Sequence, residues 1–118
     1  MREKPKDYGR LLHISASLQN ISEFLEDKTQ EDFSNDKLLY FAVVKNVEII
    51  GEAAYMLTSE FKDAHPDTSW KDIVRMRHIL VHGYYQIDAA ILWHTIINDL
   101  PPLRKQIDSY LDQESSEL

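Results

Sequence analysis

The chain has 118 residues, 43% of them hydrophobic, with three glycines, four prolines and no cysteine; that length fits one domain with a sizeable core, residues 1–118. The lack of cysteine excludes disulfides, thiolate catalysis and cysteine-ligated zinc, and agrees with a reducing, cytoplasmic setting. A formal net charge of −7 argues against a general nucleic-acid binder, the N-terminal MREKPKDYGR lacks the apolar run of a signal peptide, and no stretch approaches the roughly 20 apolar residues of a membrane helix.

The first element is an amphipathic helix over 7–27. Tyr8, Leu11, Leu12, Ser15, Leu18, Ile21 and Leu25 recur there at helical spacing. Asn20-Ile21-Ser22 fits a glycosylation sequon, but it falls within this helix. The polar segment Glu26 to Asp32 reads as a solvated connection. A second helix is expected from about 36 to 59, with Ser34 or Asn35 as its cap. Its apolar positions, from Leu38 through Val47 to Leu57, are too broad for one neighbour to cover, which makes a second protomer a natural partner. Gly51, Ala53 and Ala54 permit a close helix approach, and Glu52 among them reads as an exposed helical acid.

Residues 61–65 form a further turn that stops before Pro66, and 66–69 are a loop. The stretch WKDIVRMRHILVHG, Trp70 to Gly83, is a third long helix, with Ser69 as N-cap and Asp72 three residues on. Gly83 suits its end. Tyr84 to Ile87 are a link, and Asp88 caps a fourth helix through Ile91, Leu92, Trp93, Ile96 and Ile97. Leu100-Pro101-Pro102 breaks that pattern, or Pro101 begins a last helix with Leu103, Ile107, Tyr110 and Leu111 on one face. The polar tail from Gln113 frays. These elements make an all-α, up-and-down four-helix bundle with an extra C-terminal helix.

Charge is unevenly placed. Glu23 to Asp36 holds six acids against Lys28, whereas Lys71 to His82 holds Lys71, Arg75 and Arg77 against Asp72. Such placement leaves room for a local basic site on an acidic body. On a continuous helix, Arg75, His78 and His82 share one stripe, while Arg77 and His82 stand about 140° apart. Three uses of this cluster stay open. His82 acts as general acid or base, with an arginine holding a phosphate. His78 and His82 ligate a metal, although the spacing supplies no third ligand. Or the histidines are structural, as His13, His65 and His94 are taken to be. Tyr84 and Tyr85 are not ranked by the pattern alone.

Arg77-His78-Ile79-Leu80-Val81-His82-Gly83-Tyr84 resembles the signature of HEPN-domain proteins: an arginine, a polar residue, three further residues and a histidine. The histidine followed by any residue and a tyrosine resembles the HepT-like branch. Ile49-Ile50-Gly51-Glu52-Ala53 resembles that branch's helix-two motif, and Trp70, Asp88, Leu92-Trp93 and Leu100-Pro101 fall at fitting intervals. The resemblance covers nearly the whole chain. It implies the toxin of a toxin–antitoxin pair, a homodimeric, metal-independent endoribonuclease with no cofactor, whose paired signature helices line a shared cleft. Carried over, Arg77 and His82 are the catalytic pair, and His78 is the supporting polar residue, where asparagine is commoner. The implied partners are an RNA substrate and a small nucleotidyltransferase antitoxin, which transfers AMP onto Tyr84, with no membrane involved. The alternative is a non-catalytic HEPN dimer that binds RNA or nucleotide, or scaffolds the nucleotidyltransferase.

Overall fold

The computed structural model describes residues 4–83 and 87–117. The helices in order are α1 (Lys4–Phe24), α2 (Gln30–Asn35), α3 (Lys37–Met56), α4 (Ser59–Ala64), α5 (Trp70–Gly83) and α6 (Ala89–Glu117), with no strand among the described residues. The expected all-α bundle is present. Its four long helices are α1, α3, α5 and α6, and the short α2 and α4 occupy connections.

The most apolar helix, α3, is central, packing on α1 on one side and α5 on the other, while α6 lies against α1 and α2. On α1, Leu11, Ile14, Leu18 and Ile21 form the buried stripe. Leu12, expected with them, faces solvent, and Ile14 takes the place expected of Ser15. One residue of phase turns a side chain by about 100°, so a single misassigned position changes faces. Asn46 of α3 is buried and satisfied: its amide donates to the Ala42 carbonyl at 2.8 Å, and its oxygen accepts from Asn20 of α1 at 3.1 Å. A second tie joins α1 to the α3–α4 corner. The buried carboxylate of Asp7 accepts from the Thr58 backbone N–H (2.9 Å) and hydroxyl (2.8 Å). The same hydroxyl accepts from Phe61 N–H and caps α4.

Three boundaries differ from expectation. The solvated connection ends early, because Thr29 and Asp32 form a capping box that starts α2 at Gln30. Asp32 is held below its ordinary carboxyl pKa, first because it accepts the Thr29 backbone N–H. The short helix places fully buried Phe33 between Tyr40 and Trp93, with ring centroids 5.4 and 5.7 Å away. Ser34 and Asn35 are therefore helical residues of α2, and the cap of α3 is Asp36, whose carboxylate accepts from Leu39 N–H at 3.1 Å.

The third difference is at the prolines. Instead of a break, α6 runs for 29 residues with Pro101 and Pro102 inside it. Its buried residues explain the continuity. Leu92, Ile96, Leu103, Ile107 and Tyr110 keep one helical phase across the prolines, so both halves pack on the same core. Both prolines stand on the solvent side. The carbonyls four residues before them belong to exposed Ile97 and Asn98, at the solvent surface, where losing the proline N–H as a donor costs least. The segment expected as an extra C-terminal helix is thus the second half of α6.

Candidate functional site

The start of α5 is fixed by an aromatic and hydroxyl cluster. The Trp70 indole N–H donates to the His65 carbonyl at 2.9 Å. Buried Thr68 donates its hydroxyl proton to Gln106 Oε1 at 2.8 Å, so the Tyr110 hydroxyl, 2.6 Å away, is the donor to Thr68. Phe61, His65, Trp70 and Tyr110 pack around them, with the His65 ring 4.5 Å from Phe61 and 4.3 Å from Tyr110. His65 is structural, as the sequence reading had it.

The middle of α5 is set by Gly51. A Cβ built on Gly51 would lie 2.1 Å from Arg77 Cβ, 2.9 Å from Arg77 Cγ and 3.2 Å from the Ile73 carbonyl oxygen. Only a residue without a Cβ allows this approach of α3 to α5. The expected close approach at the small residues is therefore realised, and its partner is the stem of Arg77. The head of Arg77 is held by the next residue of α3: Arg77 Nη2 lies 2.9 Å from Glu52 Oε2. The arginine side chain is 36% exposed and the glutamate 52%, so the ion pair lies at the surface with the arginine only partly covered.

The two imidazoles sit together on the neighbouring part of the exposed surface. His78 and His82 are one turn apart, with ring centroids 4.6 Å from each other, and both are exposed. Leu80, on the opposite side, is fully buried. The solvent-facing half of α5 thus runs from Arg77 at its α3 edge to the histidine pair. Arg75, the partner that spacing alone would choose for His82, instead reaches back to Asp72 at 3.6 Å, with both side chains about 70% exposed. Such a pair contributes little. Tyr84, and Tyr85 beside it, lie outside the described residues. Among the described residues no group of three or more His, Cys, Asp or Glu side chains is placed to hold a metal ion.

A cleft of about 380 Å³ opens elsewhere, between α3, α5 and α6, and is lined by Ile50, Ile73, Met76, Leu92 and Ile96 with Asp99 at its edge. It receives the apolar side of α5, and none of Arg77, His78 and His82 lines it. The chemistry-bearing residues are on the open surface instead. Helices α3 and α5 also carry exposed apolar side chains: Leu38 (82%), Phe41 (49%) and Tyr55 (63%) on α3, and Ile79 and Val81 on α5.

Glu52 is the residue whose role the sequence reading missed. It is exposed, as expected, but it is also paired. The available signal was its position beside Gly51: a charge at a close helix crossing meets whatever charge the second helix carries there.

The comparisons with known proteins point the same way as this helical layout. The sequence profile described as Ribonuclease HepT-like matches residues 14–110. The chain is 38% identical over 92% of its length to a protein of Thermococcus cleftensis named "Probable ribonuclease HepT", 96% of which is covered. It is 37% identical over 93% of its length to a "Putative RNase" of Caldanaerobacter subterraneus subsp. tengcongensis, again with 96% of that protein covered. A third relative is the "Gamma-glutamylcyclotransferase and putative RNase" of Methanocaldococcus jannaschii. It is 36% identical over 96% of this chain, which spans 50% of that longer protein. No solved structure matches the chain significantly. The chain belongs to the HepT-like ribonuclease family, and a ribonuclease function holds at the level of that family. Among the described residues, no helix is long and apolar enough to cross a membrane.

Proposed function

We propose that this chain acts as one cytoplasmic domain, a metal-independent endoribonuclease that serves as the toxin of a toxin–antitoxin pair. The observation that carries this reading is the exposed half of α5, where a positioned arginine and a histidine pair stand on one surface. His82 takes the proton from a ribose 2′-hydroxyl or returns one to the leaving 5′-oxygen. Arg77 holds the scissile phosphate through the guanidinium edge that Glu52 leaves and stabilises the charge that builds in the transition state. The products carry a 2′,3′-cyclic phosphate and a 5′-hydroxyl. His78 supports His82 through ring contact.

A homodimer completes the site. Arg77 and His82 are about 140° apart on one helix, so a single copy presents them side by side rather than converging. A second copy laid against the exposed apolar side chains of α3 and α5 would face the two signature helices across a cleft, so that one copy's arginine meets the other's histidine. The antitoxin is a small nucleotidyltransferase that places AMP on Tyr84, two residues from His82. The added phosphodiester anion competes for the phosphate site and repels RNA.

The test is purified protein incubated with tRNA and mRNA in EDTA, beside Arg77→Ala and His82→Ala. Cleavage by wild type alone is expected. Undiminished cleavage by His82→Ala removes the assignment. A folded dimer that cleaves nothing turns the reading to a non-catalytic HEPN dimer that binds RNA or nucleotide or scaffolds the nucleotidyltransferase. The formal charge of −7 is the observation favouring that second reading. Mass spectrometry after co-expression with the neighbouring nucleotidyltransferase is expected to place AMP on Tyr84 and none on Tyr85.

A further inference from the structure

We infer that Glu52 is a positioning residue for the ribonuclease reaction: with Gly51 it fixes the side chain of Arg77 so that one edge of the guanidinium is presented to the scissile phosphate. The inference rests on the ribonuclease reading above. Two adjacent residues of α3 act on the two ends of one side chain. At Gly51 the missing Cβ leaves the space that Arg77 Cβ and Cγ occupy, so the stem passes tightly against the α3 backbone. One residue on, Glu52 Oε2 takes Arg77 Nη2 at 2.9 Å. An arginine alone on a helix surface samples many rotamers, and holding it at both stem and head removes most of that freedom.

Glu52 engages one terminal nitrogen of Arg77. A guanidinium has five N–H donors in a planar fork, and Nη2 carries one hydrogen on each of its two paired edges (Nε with Nη2, and Nη1 with Nη2), so a carboxylate on one edge leaves the other to offer two parallel donors to phosphate oxygens. The carboxylate also has a cost that makes its role measurable. A negative charge beside the arginine weakens the attraction of RNA phosphate in the ground state. A group that lowers affinity yet raises the rate is acting on geometry. Removing it therefore separates the kinetic parameters: turnover falls, while RNA binds as well as before or more tightly. A residue that merely supported the fold would lower only the folded fraction, leaving both kcat and affinity per folded molecule at their wild-type values.

The experiment compares wild type, Glu52→Gln and Glu52→Ala, each checked for a cooperative thermal transition, with Arg77→Ala and His82→Ala as inactive references. Steady-state kcat and KM are measured on a short oligoribonucleotide substrate. Binding is measured with the 2′-O-methyl form of the same oligonucleotide, which cannot form the cyclic phosphate. The expected result is a fall in kcat of about 10- to 100-fold in both variants, the scale at which a misplaced catalytic group costs rate, with the Kd for the 2′-O-methyl probe unchanged or lower. Wild-type kcat in both variants overturns the inference while the ribonuclease reading stands. So does a loss confined to KM, or a loss of kcat with weakened probe binding. The ribonuclease reading itself fails separately, through the references: it is lost if folded wild type cleaves nothing or if Arg77→Ala cleaves as wild type does, and the role of Glu52 is lost with it.

Discussion

Replacing Gly51 with alanine tests whether α3 and α5 touch as closely as described. A new Cβ would meet Arg77 Cβ at 2.1 Å and the Ile73 carbonyl oxygen at 3.2 Å. Carbon–carbon contact is comfortable at about 3.5–4.0 Å, so the first pair is roughly 1.5 Å too close. A Cβ and a backbone carbonyl cannot swing aside as a side-chain tip can. The helices must separate, at an overpacking cost of about 1–3 kcal/mol. Against this stands the gain of about 1 kcal/mol when alanine replaces glycine inside a helix. The 2.1 Å contact puts the overpacking cost in the upper part of its range, about 2–3 kcal/mol, so a net loss of about 1–2 kcal/mol remains, which for a domain of this size lowers Tm by roughly 5–10 °C. Gly9 is the internal control. It also lies in a helix, but its Cβ would meet nothing within 4 Å. Gly9→Ala is therefore expected to stabilise by about 0.5–1 kcal/mol. Urea denaturation of the two variants reads both signs. A Gly51→Ala protein as stable as wild type, or stabilised like Gly9→Ala, would refute the close approach and with it the account of how Arg77 is held.

Three further outcomes follow from the packing. Phe33→Ala empties a fully buried site between two aromatic rings and is expected to cost about 3–5 kcal/mol in chemical denaturation, mostly through the α2 contacts with α3 and α6. Asp7→Ala strips the acceptor from the Thr58 N–H and hydroxyl and is expected to cost about 1–3 kcal/mol; hydrogen exchange should quicken at the start of α4 first. Asp32 has its pKa lowered on folding, so the stability it contributes is present above about pH 4 and is lost as pH falls through the lower folded value. The stability difference between wild type and Asp32→Asn should accordingly shrink on acidification from neutral pH to below the folded value, and a constant difference would contradict the capping geometry.

How far the sequence revealed this molecule depended on what each signal encoded. Long apolar periodicities located α1 and α3, because burial of a stripe is a property of the stripe itself, whereas α5 was read from the polar residues at its start and Gly83 at its end. The errors came where one local signal competed with another. Thr29 and Asp32 read as loop residues by polarity, yet their three-residue spacing is a capping box, and buried Phe33 supplies the reason for a helix there. Pro101 and Pro102 read as a break by chemistry, yet the phase of Leu92, Ile96, Leu103 and Ile107 runs through them, and packing outweighed the two lost hydrogen bonds. At the site, Arg77, His78 and His82 were visible as a cluster of residue types, whereas the Glu52–Arg77 pair was not. That pair depends on which faces of α3 and α5 meet, and such information is spread over every residue of the interface.

The anchoring of α5 has a consequence for the order in which the protein is made. Its first turn is held through Thr68 and Trp70 by Gln106, Tyr110 and the His65 carbonyl, and two of these lie near the end of α6, about forty residues later in the chain. Ribosomes deliver residues in sequence, so a nascent chain has synthesised Arg77, His78 and His82 well before it has the side chains that fix their helix. The bundle that seats the basic helix closes only when the last stretch of α6 has emerged, and a chain released prematurely carries the signature without the clamp.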